Sequence, residues 1–263
     1  MSALAGAFAS GRTALMPYLM GGFPDLEGSL AIGEACVRAG ADVLELGVPF
    51  SDPLADGPQI HAAATRALAA GATVGGVIEV ARSLSREVPV VVMCYANPIL
   101  ARGVEPFVAA LAGAGVAGLI VPDLPIEEAP AVLAACDAAG VDLVPLLAPT
   151  TPPERARAIG SRARGFLYVV STRGTTGERG SLADGVAPLL ARAKAATTVP
   201  VAVGFGISSP EQGAQAARAG ADGIIIGTRL VRAAAESGDP PTAVGELVGR
   251  FAAALPGGRS VVS

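Results

Sequence analysis

The stretch Val43-Leu-Glu-Leu-Gly-Val-Pro-Phe-Ser-Asp-Pro-Leu-Ala-Asp-Gly-Pro58 sets three carboxylates, Glu45, Asp52 and Asp56, among valine, leucine and proline. Strand alternation puts Glu45 on the face opposite Leu44 and Leu46, which suit a helix-covered side, so Glu45 is expected to point inward. A carboxylate withdrawn from water has a raised pKa and can give and take a proton near neutrality. The competing reading is a carboxylate held in an internal hydrogen-bond network. Asp52 and Asp56 lie in the loop that follows, bracketed by Pro49, Pro53 and Pro58. Restricted backbone presents a carboxylate with little loss of chain entropy. On residue type alone, however, either aspartate reads first as a turn former. The chemistry in view is proton transfer by a carboxylate pair, Glu45 with one of the two loop aspartates, Asp52 or Asp56.

Other segments bear on what such a pair would act upon. Gly204-Phe-Gly-Ile-Ser-Ser-Pro210 and Gly227-Thr-Arg-Leu230 combine glycines with hydroxyls ahead of helical stretches. Backbone N–H groups there can bind a phosphate, and glycine lets its oxygens approach the main chain. Taken singly, each motif is also explained by turn geometry. Ser171-Thr-Arg-Gly-Thr-Thr-Gly-Glu-Arg-Gly-Ser181 reads as a mobile lid, or else as a plain surface loop. Tyr18, Tyr95 and Tyr168 fall in or just after the first, third and sixth strands, and with Phe205 they are placed to line a pocket for a flat ring. Ordinary packing explains each of them one by one. His61, the single histidine, is expected partly exposed on a helix and receives no role.

The elements that must carry these groups alternate along the whole chain. Strands are expected at 14–19, 42–46, 89–94, 117–121, 142–147, 165–170, 200–204 and 223–227, with alanine-rich helices between them. Eight such strands predict an α/β protein, a single (β/α)8 TIM barrel occupying residues 1–263 as one domain. Ala39-Gly-Ala-Asp42, Ala114-Gly-Val-Ala117, Ala139-Gly-Val-Asp142 and Ala219-Gly-Ala-Asp222 form a weak repeat in which glycine ends a helix and a short turn enters the next strand. The segments leaving the strands are longer, above all Gly47–Pro58 and Ser171–Ser181. In barrels these build the active site at the C-terminal face.

Composition narrows the function further. The chain is 51% hydrophobic and only 16% charged, which predicts a large ordered core. A net charge of −4 without any basic run argues against nucleic acid as a partner. The uncharged run Pro106–Pro122 is broken by Gly113, Gly115 and Gly118, so it reads as helix, turn and strand; a spanning helix needs roughly 20 apolar residues. No basic residue precedes Arg12, a poor start for a signal peptide. Cys36, Cys94 and Cys136 lie far apart in apolar settings and read as reduced buried thiols, so a cytoplasmic location is expected. One histidine is too few for an ordinary metal site. The single lysine, Lys194, reads as an exposed helix residue, which leaves Schiff-base and pyridoxal chemistry without its nucleophile. Carboxylate, tyrosine, hydroxyl and backbone remain, with no cofactor expected in this chain.

In order, these motifs resemble the tryptophan synthase alpha chain family from about Leu15 to Leu230. The run Glu45–Pro58 looks like that family's signature, supported by Tyr95-Ala-Asn97, Val121-Pro-Asp-Leu-Pro125, Thr175-Thr-Gly177 and Gly204–Pro210. The resemblance implies retro-aldol cleavage of indole-3-glycerol phosphate to indole and glyceraldehyde 3-phosphate. It implies Glu45 as the general acid at the indole ring carbon, Asp56 as acceptor of the indole N–H, and Tyr168 as a pocket tyrosine near the acid. Thr176 matches a lid threonine; Tyr18, Ile60 and Tyr95 match pocket-lining positions. Gly177, Phe205, Gly206, Gly227 and Thr228 match phosphate-binding positions. The resemblance also implies a beta-chain partner in an alpha2-beta2 assembly, with pyridoxal phosphate only in that partner and Pro49, Asp52 and Asn97 near the interface. Thr228 stands where serine is common in the family, Met20-Gly21 where a threonine often sits, and Arg173 enters the lid. A stand-alone indole-releasing lyase, another phosphosugar barrel enzyme and a non-catalytic barrel that binds a beta chain are the alternatives.

Overall fold

The computed structural model describes residues 2–9, 11–170, 182–204 and 206–257. Its strands are β1 (Ala14–Met20), β2 (Leu44–Gly47), β3 (Val90–Met93), β4 (Gly118–Ile120), β5 (Asp142–Leu143), β6 (Leu146–Leu147), β7 (Leu167–Val170), β8 (Val201–Gly204) and β9 (Gly223–Ile226). All pair in parallel in the order β5-β4-β3-β2-β1-β9-β8-β7-β6. The two ends of that order are one piece of chain. Val144 donates to Leu119 O at 2.9 Å on the β4 side, and Tyr168 donates to Pro145 O at 3.0 Å on the β7 side. The expected strand 142–147 is therefore a single stave interrupted at Pro145, which has no N–H to give to a ladder. Counting β5 and β6 together, eight staves close a (β/α)8 TIM barrel.

Around the ring lie α1 (Ala3–Phe8), α2 (Leu26–Arg38), α3 (Pro58–Ala69), α4 (Val74–Leu84), α5 (Ala96–Arg102), α6 (Val104–Gly113), α7 (Pro130–Ala139), α8 (Pro153–Gly160), α9 (Leu182–Lys194), α10 (Pro210–Arg218), α11 (Thr228–Glu236) and α12 (Pro240–Ala254). The run Pro106–Pro122 is the greater part of α6, a turn and β4, as its glycines imply. Among the described residues no single helix is long and apolar enough to cross a membrane. The glycines of the repeat adopt positive φ, +100° at Gly40, +74° at Gly115, +72° at Gly140 and +99° at Gly220, where a side chain would be strained.

Two of the repeat's aspartates knit neighbouring strands. Asp42 accepts from the Leu15 N–H at 3.0 Å and pairs with Arg12 through both its oxygens; Asp222 accepts from the Val201 N–H at 2.8 Å and from Lys194 Nζ at 2.7 Å. Lys194 thus stands on an exposed helix face with a partner. Below the ring, α1 inserts Leu4 into the N-terminal mouth, fully buried, against the side-chain-free positions Gly118 and Gly165. Removing that plug opens a cavity lined by fixed strands. Leu4→Ala is expected to lower stability by about 2–5 kcal/mol, measured by urea unfolding, while the opposite, C-terminal face keeps its geometry.

Candidate active site

One cavity of about 1280 Å³ opens at the C-terminal end of the ring, where the β2, β4, β8 and β9 loops converge. Tyr18, Glu45, Asp56, Ile60, Tyr168, Gly206, Gly227 and Thr228 all line it. Glu45 is on β2 in register with Tyr18 of β1 and Val91 of β3. Its side chain is 1% exposed, and neither carboxyl oxygen has a hydrogen-bond partner among the described residues. The internal-network reading of Glu45 therefore finds no partners there. Burial pushes its pKa up to about 8, so at neutral pH the carboxyl holds a proton it can give away. Tyr18 and Tyr168 flank it, and burial, with the neighbouring carboxylates adding, holds both phenols protonated.

Room for those rings comes from two glycines. A Cβ at Gly47 would collide with the Tyr18 hydroxyl, and a Cβ at Gly204 would lie 2.5 Å from the Tyr168 hydroxyl. Gly47 is a residue that sequence reasoning passed over. Its signal was its spacing, two positions after Glu45 and so on the same face of the strand.

Geometry separates the two loop aspartates. Asp52 is exposed and accepts from the Ser51 hydroxyl at 2.5 Å, the local pattern of a turn residue. Asp56 is partly buried in the cavity wall, and the Tyr95 hydroxyl donates to its Oδ1 at 2.9 Å. Burial raises the Asp56 pKa, while the Tyr95 hydrogen bond and the charge of nearby His61 pull it down. The same Tyr95 hydroxyl accepts from the Ala55 N–H at 3.1 Å, and Phe50 packs on its ring at 5.4 Å between centroids. Tyr95 is 4% exposed and is not among the residues lining the cavity. It stands behind Asp56 rather than in the pocket wall, because its hydroxyl is spent on the loop that carries the aspartate. His61 is exposed on α3, as its position implies.

The far end of the cavity is lined by Gly206, Ser208, Gly227 and Thr228. Gly206 has φ +55°, and α11 begins at Thr228 behind Gly227 with no side-chain cap; the Leu230 N–H turns back to Gly227 O at 2.8 Å, and no side chain takes the N–H groups of Thr228 and Arg229 as a cap. The lid segment Ser171–Ser181, with Arg173, Thr176 and Gly177, and the phosphate-loop residue Phe205 lie outside the described residues. Of the positions expected near a partner, Asp52 and Asn97 are exposed and Pro49 is buried. Among the described residues no three His, Cys, Asp or Glu side chains gather as a metal site, and the three thiols are buried and unpaired.

Known proteins place this arrangement. The family model described as "Tryptophan synthase alpha chain" matches residues 4–250. The tryptophan synthase alpha chain of Gloeobacter violaceus is 50% identical over 238 residues, covering 90% of this chain and 86% of that one. The protein of that name from Prochlorococcus marinus is 49% identical over 245 residues, with 92% and 88% coverage. Among solved structures, a Mycobacterium tuberculosis tryptophan synthase chain aligns with a TM-score of 0.89 at 40% identity, covering 97% of this chain and 98% of that chain. Tryptophan synthase subunit alpha from Legionella pneumophila aligns with a TM-score of 0.89 at 35% identity, with the same coverage.

The Glu45 carboxyl also makes stability depend on pH. Its proton is held more tightly folded than unfolded, so between pH 4.5 and about 8 the native state carries more protons and stability falls as pH rises. In urea titrations at pH 5 and pH 8, Glu45→Gln is expected to remove a loss on the order of a few kcal/mol that the unmutated chain suffers over that interval.

Proposed function

Because this chain belongs to the tryptophan synthase alpha chain family, we propose that Glu45 and Asp56 share its lyase chemistry as acid and charge-holding acceptor. The reaction is cleavage of indole-3-glycerol phosphate to indole and glyceraldehyde 3-phosphate. The observation that carries the assignment of roles is the contrast between two carboxylates of one cavity. Glu45 is buried with no hydrogen-bond partner among the described residues and stays protonated up to about pH 8; burial raises the Asp56 pKa too, but there a tyrosine hydroxyl and a histidine oppose the rise. Environments that push two pKa values apart assign acid and base roles.

Glu45 gives its proton to the indole ring carbon that bears the glycerol chain. Asp56 accepts the indole N–H and stabilises the positive charge that spreads to the nitrogen. The bond between ring and chain then breaks, and its electron pair restores the aromatic ring. As the adjacent hydroxyl becomes the aldehyde, its proton returns the Glu45 carboxyl to its starting state. Indole is its own electron sink, so the scarcity of lysine and histidine is no obstacle. Tyr168 stays a neutral phenol beside Glu45, and Tyr18 and Ile60 shape the apolar wall for the ring. Gly206, Gly227 and Thr228 take the phosphate, with Gly177, Phe205 and the lid residue Thr176 carried over from the family pattern.

The partner in this reading is a tryptophan synthase beta chain, in an alpha2-beta2 assembly whose pyridoxal phosphate belongs to the beta chain. Its support is the surface around the cavity mouth. Leu54 in the loop after β2 is 85% exposed and Leu100 on α5 is 64% exposed, a clear departure from the burial of most large apolar side chains here. Asp52 and Asn97 are exposed in the same loop and the same helix. Buried reduced thiols fit a cytoplasmic setting.

With indole-3-glycerol phosphate as substrate, Glu45→Gln and Asp56→Asn are each expected to lose about 10²–10⁴ in kcat while the far-UV spectrum is unchanged. Full activity in either variant would remove that residue from the mechanism. Activity of the unmutated chain should fall as pH rises through about 8, where Glu45 loses its proton, and this alkaline limb should not follow Asp56 variants. Adding a beta chain should raise indole turnover many-fold; an unaltered rate would favour a stand-alone indole-releasing lyase.

A further inference from the structure

We propose that Asp123 is a positioning residue for Asp56, acting through the backbone at the start of α5 and the Tyr95 hydroxyl. The inference rests on the reading of Asp56 as the acceptor of the indole N–H. Asp123 follows β4 in Val121-Pro-Asp-Leu-Pro125, partly buried in the cavity wall. Its Oδ1 accepts from the Ala96 N–H at 2.8 Å. Ala96 is the first residue of α5, and Tyr95 is the residue that would ordinarily cap it. Tyr95 supplies no side-chain cap, since its ring reaches back to the loop after β2. A carboxylate from the neighbouring strand's loop fills the vacancy.

That bond fixes the Tyr95–Ala96 peptide, and with it the root of the Tyr95 side chain. The ring then has little freedom, being 4% exposed with Phe50 against it, and its hydroxyl grips both the Ala55 N–H and Asp56 Oδ1. The loops after β4, β3 and β2 are tied in series, ending on the carboxylate that touches the indole. Charge acts in the same sense. Asp123 and Asp56 both raise the Tyr95 pKa, after burial, which keeps the phenol protonated and able to donate. Losing the Tyr95 hydrogen bond removes one of the influences that hold Asp56 ionised.

The test uses the full chain with Asp123→Ala, Asp123→Asn, Tyr95→Phe, the double variant Asp123→Ala/Tyr95→Phe, and Ala96→Pro. The last deletes the donor without touching Asp123, at a first helical position where proline is tolerated and behind a residue already at φ −64° and ψ 155°. Asp123→Ala and Ala96→Pro should each lower kcat roughly ten- to a hundred-fold, the scale of a misplaced catalytic group. The acid limb of the pH profile should move to higher pH. Asp123→Asn, whose amide oxygen can still accept from Ala96, should recover most of the rate. The double variant should be no worse than Tyr95→Phe alone. Carbon-13 NMR of the Asp56 carboxyl should show its titration displaced upward in Asp123→Ala, Ala96→Pro and Tyr95→Phe.

Multiplying losses in the double variant, or an Asp123→Asn variant as slow as Asp123→Ala, would instead place Asp123 in direct contact with substrate and overturn the proposal. An unmoved Asp56 titration would overturn it too. Because that titration needs no turnover, a chain that forms no indole would refute the lyase reading and still decide the coupling.

Discussion

A carboxyl group placed inside a closed ring of strands, with no hydrogen-bond partner among the described residues, governs this site. Water stabilises an ionised carboxylate far better than an apolar interior does, so Glu45 keeps its proton until the pH approaches 8. Its burial follows from closure. β1 and β3 pair with β2 on both sides, Tyr18 and Tyr168 stand over the carboxyl, and the broken stave at Pro145 still joins β4 to β7. Opened flat, the same sheet would expose the glutamate on its face, and its ordinary acidity would return.

The second carboxylate of the cavity, Asp56, comes from a loop rather than a strand. It is only partly buried; burial raises its pKa, and a hydrogen-bond donor and a histidine work against that rise. Holding it demands order that a loop lacks by itself. Pro53 and Pro58 restrict the backbone, Phe50 packs on Tyr95, and Tyr95 clamps the segment at Ala55 and Asp56. Rigidity is thus imported from β3 into the loop after β2.

The two ends of the barrel divide stability from chemistry. At the N-terminal mouth Leu4 fills the ring, while Asp42 with Arg12 and Asp222 with Lys194 fasten strand starts to their neighbours. At the C-terminal end glycines replace side chains: Gly47 and Gly204 admit tyrosine hydroxyls, and Gly206 and Gly227 leave backbone at the cavity wall. Bulk at the bottom and its removal at the top leave one wide cavity at the chemical end.

Much of this was legible in the residues. Alternating β-rich and alanine-rich runs determined the eight staves, because hydrophobic period and glycine turns are local properties of the chain. Alternation along Leu44-Glu45-Leu46 determined the inward direction of Glu45 for the same reason. Composition, with one lysine and one histidine, turned the reading toward carboxylates. The choice between Asp52 and Asp56 was not local, and only family resemblance made it in advance. Tertiary structure adds a physical difference between them, bringing the Tyr95 hydroxyl across from the end of β3 to Asp56 and leaving Asp52 in solvent. It likewise moved Tyr95 from the pocket wall to a place behind Asp56 and showed Gly47 to be space for Tyr18. Those contacts join residues about forty positions apart or on neighbouring strands, and only closure of the ring decides which of them meet.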